Sequence, residues 1–261
     1  MKHIPLMAHL VAGYPDASGC RAAARGLVEG GATYLEVQIP FSDPSADGPA
    51  IRVACSLALE RGCSVADSLT FIRDLRRDYP GIPVFVMVYA SLVATPGATG
   101  FAATMHAAGV RGLIVPDLPF DSDEGLAEAC LALGKDAPFS VPVAAPSMRP
   151  ERLREMAALS RPYLYAALRS GITGSHTDIG DDTRAFLAEC ASGGSKVLGG
   201  FGIRTGLQAK AVAPHVHAVV AGSVFVEAIS AAAAAHPNDR TGRDEAIRRA
   251  VRERAVDITG G

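Results

Sequence analysis

The residues best suited to chemistry fall in one stretch, Tyr34–Pro49, which reads YLEVQIPFSDPSADGP. It carries three carboxylates: Glu36 inside an apolar run, then Asp43 and Asp47 beyond the end of that run. An acid within an apolar strand is costly to bury unless it is paired or used. Side chains alternate across a strand. With Leu35, Val37 and Ile39 on one face, Tyr34, Glu36 and Gln38 share the other. Glu36 then lies near the strand's C-terminal end, and Asp47 sits in a loop able to fold over it. A second acid in the loop just past such a strand is the arrangement that acid/base chemistry needs. Spacing alone leaves a second reading open, in which backbone donors satisfy Glu36 while Asp43 and Asp47 cap turns. Asp43, directly before Pro44, is expected to shape the turn.

Three glycine-rich turns follow later strands: Ser170-Gly171-Ile172-Thr173-Gly174, Gly199-Gly200-Phe201-Gly202-Ile203 and Ala221-Gly222-Ser223. Glycine lets backbone N–H groups approach an anion closely. Gly222-Ser223 opens the predicted helix 224–230, whose positive end favours phosphate. The same turns would also serve as plain strand-to-helix connections. Tyr89 and Tyr165 lie near strand ends and could line a pocket for an aromatic substrate. Asp117, in VPDLP, is either a turn former or a group aimed at the second-strand loop. His215-Val216-His217 has the spacing of a metal pair but no evident third ligand, and Arg169 is a weak candidate for a phosphate contact.

The elements that must position these groups alternate in type. Strand-like runs are expected at 5–11, 33–39, 83–88, 112–115, 139–143, 163–168, 196–198 and 218–220. Helix-like segments are expected at 20–29, 65–78, 100–108, 123–133, 150–159, 182–190 and 206–212, and the last helices are expected in the Ala-rich 231–235 and the charged 244–254. Ser64 and Pro150 stand at helix starts, as capping and first-turn geometry favour. Alternating strands and helices imply a parallel sheet with right-handed crossovers. Eight repeats predict a closed (β/α)8 TIM barrel with its site at the C-terminal mouth. An open doubly wound sheet is the competitor. No composition shift or linker divides the chain, so residues 1–261 are expected to form a single barrel domain.

Composition narrows the function. A formal net charge of −2 gives no basic excess for nucleic acid, and no Lys/Arg cluster suggests a membrane surface. The N-terminal segment lacks the charged start and cleavage site of a signal peptide, and no apolar run reaches the roughly 20 residues of a membrane span. Cys20, Cys55, Cys63, Cys130 and Cys190 are scattered without CxxC spacing. Reduced thiols and a cytoplasmic location are expected.

Taken in order, LEVQIPFSDPSADGP, VPDLP, YLYAALRSGITG, GGFGIRTG and VVAGS resemble the tryptophan synthase α-chain family over essentially the whole sequence. The resemblance implies a (β/α)8 barrel that cleaves indole-3-glycerol phosphate to indole and glyceraldehyde 3-phosphate. It implies Glu36 as the acid/base that protonates indole C3 and deprotonates the glycerol hydroxyl, and Asp47 as the partner of the indole N–H. Tyr165 and Thr173 match pocket positions, and Gly174, Gly202, Gly222 and Ser223 match phosphate-binding positions. It further implies no metal or organic cofactor on this chain, and a partner β chain, carrying pyridoxal phosphate, in an αββα complex. A free-standing lyase that releases indole is the nearest alternative. Another sugar-phosphate barrel enzyme, or a subunit that only activates the β chain, fits less well. Gln38 stands where many members have glycine, Arg52 where glutamine is commoner and Ser91 where asparagine is usual. The first strand begins within a few residues of the N-terminus, where most members have an extra helix, so a less covered barrel floor is expected.

Overall fold

The computed structural model describes residues 3–159, 161–168, 180–200 and 202–261. Its strands are β1 (Leu6–Val11), β2 (Tyr34–Gln38), β3 (Val84–Met87), β4 (Gly112–Ile114), β5 (Phe139–Val141), β6 (Val143–Ala144), β7 (Tyr163–Ala167), β8 (Lys196–Gly200) and β9 (Ala218–Ala221). All neighbouring pairs are parallel, in the order β5-β4-β3-β2-β1-β9-β8-β7-β6. Its helices are α1 (Ala17–Glu29), α2 (Pro49–Glu60), α3 (Val65–Asp78), α4 (Ala90–Ala94), α5 (Gly97–Ala107), α6 (Leu126–Ala132), α7 (Pro150–Ala158), α8 (Asp181–Ala191), α9 (Gly206–Val212), α10 (Ser223–Ala235) and α11 (Arg240–Thr259).

β5 and β6 are two halves of one strand broken at Pro142. Proline has no N–H to give to the ladder, but its carbonyl still accepts a 2.9 Å bond from Tyr165 N in β7. The first half pairs with β4 and the second with β7, so the ends of the sheet meet in one stretch of chain and the barrel closes. The expected eight barrel strands are therefore present, the fifth in two pieces.

The β2 alternation is as expected. Leu35, Val37 and Ile39 belong to the layer between sheet and helices, while Tyr34 joins Met7, Phe85, Tyr163 and Leu198 in the lumen. At the N-terminal end of the barrel, Tyr34 and Tyr163 each meet Phe85 edge-on, with ring centroids 5.7 and 5.1 Å apart. Such pairs add about 0.5–1.5 kcal/mol beyond their buried area. Tyr34 is 8% and Tyr163 5% exposed, so aromatic rings fill this end of the lumen.

Two helices lie outside the expected segments. α2 follows the acid-bearing loop with Gly48 as N-cap and Pro49 in the first turn, where its fixed φ and missing N–H do no harm. α4 spans five residues, too few to show a period.

Candidate active site

At the C-terminal mouth of the barrel is a cavity of about 550 Å3. Glu36, Asp47, Gly202, Gly222 and Ser223 all line it, together with His9, Tyr165, Arg204 and an apolar wall that includes Met87, Ile114 and Val143. The two expected acids and three of the expected phosphate-end residues thus share one space. Thr173, Gly174 and Arg169 lie outside the described residues.

Glu36 comes from β2 and is 3% exposed. Its register partner on β1 is His9, whose Nδ1 lies 3.5 Å from Glu36 Oε2. Burial opposes a charge on His9, but Glu36, Asp47 and the facing Gln38 amide outweigh it and hold the imidazole above its ordinary pKa of 6.5. Neither His9 Nε2 nor Gln38 Oε1 completes a hydrogen bond, although both atoms are buried.

Asp47 is positioned by the loop ahead of α2, where its N–H bonds to Pro44 O at 3.1 Å. Its Oδ2 accepts bonds from Gln38 Nε2 and from Tyr89 Oη, each at 2.7 Å. Tyr89 Oη in turn accepts from Ala46 N at 3.1 Å, tying the same loop to the end of β3. Burial pushes the Asp47 carboxyl above its ordinary value; His9, Tyr89 and Gln38 pull the other way, and Glu36 adds to the rise. Tyr89, 1% exposed, stands behind Asp47 and holds it, rather than forming the cavity wall. Tyr165 does form the wall. Its hydroxyl is kept neutral by burial and by the nearby Glu36 and Asp47 charges.

The opposite end of the cavity is built of backbone. Gly202 has φ +80°, in the left-handed region that side chains disfavour. Gly222 is the N-cap of α10 and Ser223 its first residue. The first N–H groups of a helix have no partners inside it, so a helix start of this kind suits an anion. A Cβ on Gly48 would lie 4.0 Å from Ser223 Oγ, so the acid-bearing loop reaches over to this end. The one basic residue considered for this end from sequence, Arg169, lies outside the described residues. Arg204 lines the cavity, though its guanidinium is taken up by Glu227 of α10, with one bond of 3.0 Å and a second from Nη2 to Oε2.

Several other candidates are placed elsewhere. Asp117 Oδ1 accepts from Ala90 N at 2.9 Å, capping α4. Asp43 is exposed in the turn, and Arg52 and Ser91 are exposed on α2 and α4. His217 Nε2 bonds Tyr34 Oη at 2.8 Å on the far floor of the barrel, and no metal-binding group occurs among the described residues. All five cysteines are free thiols, four of them buried.

A family model described as tryptophan synthase alpha chain matches residues 2–255. The tryptophan synthase alpha chain of Chromobacterium violaceum is 38% identical over 228 residues, covering 87% of this chain and 86% of that one. The one from Streptomyces avermitilis is 34% identical over 257 residues, covering 98% and 90%. The chain belongs to the tryptophan synthase α-chain family. A crystal structure of tryptophan synthase from M. tuberculosis, 29% identical, superposes with a TM-score of 0.79 over 98% of this chain and 94% of that one. The α subunit of Pyrococcus furiosus, at 24% identity, has the same fold with a TM-score of 0.81. As an α chain of this family, the protein is a lyase that cleaves indole-3-glycerol phosphate. In this family the α chain carries no cofactor of its own, and pyridoxal phosphate belongs to the partner β chain. No helix among the described residues is long and apolar enough to cross a membrane.

His9 and Gln38 are the site residues that sequence reasoning undervalued. His9 sits in an apolar run with nothing beside it in sequence to suggest a partner. Only strand pairing puts it next to Glu36.

Proposed function

We propose that Glu36 and Asp47 carry the cleavage of indole-3-glycerol phosphate by acid/base chemistry, the whole chain acting as one barrel domain. The observation that supports this most strongly is their presence in the same cavity as Gly202, Gly222 and Ser223. The indole ring lies against Tyr165, Met87 and Ile114, and the phosphate meets the N-terminus of α10. Glu36, protonated, gives its proton to indole C3. The ring becomes an iminium-like electron sink, and Glu36, now ionised, takes the proton of the glycerol hydroxyl. The C–C bond electrons return to the ring as the new aldehyde forms, releasing indole and glyceraldehyde 3-phosphate. Asp47 accepts the indole N–H and stabilises the positive charge that builds on the ring. Tyr89, Gln38 and His9 favour the ionised form that this role requires.

Indole then passes to a β chain within an αββα complex in the cytoplasm. The deciding measurement is a coupled assay of glyceraldehyde 3-phosphate formed from indole-3-glycerol phosphate, with a matched β chain added or omitted. Cleavage that rises with the β chain supports the complex. Full cleavage without it identifies a free-standing lyase, and no cleavage in either case removes the reading.

A further inference from the structure

β1 lies between β2, which supplies Glu36, and β9, which leads to Gly222 and Ser223. A ligand reaching from the acids to the phosphate end must therefore cross β1, and His9 is the β1 side chain that lines the cavity. A Cβ built on Gly222 would come within 3.3 Å of His9 Cβ and 3.4 Å of Cγ, so the imidazole sits directly beneath the start of α10. Its other flank faces Glu36 at 3.5 Å. His9 is 4% exposed, and its Nε2 has no hydrogen-bond partner. A buried polar atom left unpaired costs about 1–3 kcal/mol, so one on a side chain that lines a cavity is suited to a ligand.

With indole-3-glycerol phosphate bound as proposed, its ring near the acids and its phosphate at Gly222, the chain between the two carries hydroxyl groups. Resting on that placement, we infer that His9 is a substrate-binding residue, pairing through Nε2 with a hydroxyl of the chain that links ring to phosphate. A hydroxyl both donates and accepts, so it satisfies Nε2 whether the imidazole is charged or neutral. His9 thereby selects for a hydroxylated linker and holds it beside Glu36, which must take a proton from it.

The test compares indole-3-glycerol phosphate with indole-3-propanol phosphate, which has the same ring and phosphate but no linker hydroxyls. In wild type, cleavage of the first is itself the check on the functional reading, and its absence overturns both that reading and this one. In His9→Phe, kcat/KM for indole-3-glycerol phosphate should fall about 10- to 100-fold, the range of a hydrogen bond to a charged group. The inhibition constant of indole-3-propanol phosphate should move less than about threefold. His9→Gln, which keeps a polar end, should recover part of the loss. If His9→Phe does not fold, His9→Leu replaces it with the same expected split. Equal weakening of both ligands would reduce His9 to a structural residue, and no change in either would remove it from the site.

Discussion

Gln38 Nε2 and Tyr89 Oη converge on the same carboxylate oxygen of Asp47, each at 2.7 Å. One donor sits on β2 and the other just past the end of the neighbouring β3, so the loop acid is pinned by the rigid barrel rather than by its own loop. A hydrogen bond to a charged group contributes about 1.5–3 kcal/mol, and its loss leaves a buried carboxylate short of a partner.

Tyr89→Phe should accordingly lower kcat/KM about 10- to 100-fold. The direction in pH comes from the same bond. Burial holds the Asp47 carboxyl above its usual value, and Tyr89 opposes that rise. Without Tyr89 the carboxyl should move further up, so activity should fail at a higher pH as acid is added. A pH–rate profile of Tyr89→Phe whose acid limb coincides with that of wild type would separate Tyr89 from Asp47. Gln38→Leu should shift the limb the same way.

Glu36→Gln keeps the shape of the side chain but cannot exchange a proton. The rate of glyceraldehyde 3-phosphate formation should drop at least about 10²-fold. Far-UV circular dichroism should stay that of wild type, since the amide fits the same space. Turnover within a few-fold of wild type would show that another group moves the proton.

Much of this site was legible because periodicity and turn chemistry act locally. The alternation of Tyr34–Ile39 fixed which way Glu36 points, and the run Pro44–Pro49 marked the loop that carries Asp47. Gly222 before an apolar helical stretch marked the start of α10, where the phosphate is proposed to sit. What was hidden depended on contacts between distant strands. His9 meets Glu36 only through β1–β2 register, and Tyr89 meets Asp47 only because the loop bends back over the end of β3. Arg204 entered the cavity wall because the turn after β8 faces the start of α10, an adjacency that sequence spacing does not encode.

Gly202 and Gly222 should tolerate substitution poorly, for different reasons. At Gly202 the φ of +80° makes any side chain strained, by about 1 kcal/mol. Gly202→Asp adds negative charge where the phosphate is proposed to sit, so KM should rise at least about tenfold and Gly202→Ala should raise it less. At Gly222 the backbone is not in the left-handed region, and the obstacle is His9 at 3.3 Å. Gly222→Ala should therefore push the imidazole aside and weaken substrate binding, and the added cost should be smaller in a His9→Ala background. Strictly additive effects of the two changes on KM would break the link between them.

The His9–Glu36 pair also predicts how stability changes with pH. Burial disfavours the imidazolium, but Glu36, Asp47 and Gln38 more than offset it, so the folded pKa is above 6.5. For a raised group, the stabilising contribution is complete below the unfolded pKa and disappears as pH climbs through the folded one. Wild type should thus lead His9→Leu by the most near pH 6 and by progressively less toward pH 9. Asp47, also raised, loses its contribution in the same direction but from a starting point of 3.8. Taking the difference between the two proteins at each pH reduces that shared background. Urea unfolding at four or five pH values in this window measures the difference directly. A gap that stays constant, or widens with pH, would mean that His9 is neutral in the folded protein and does not pair with Glu36 as an ion.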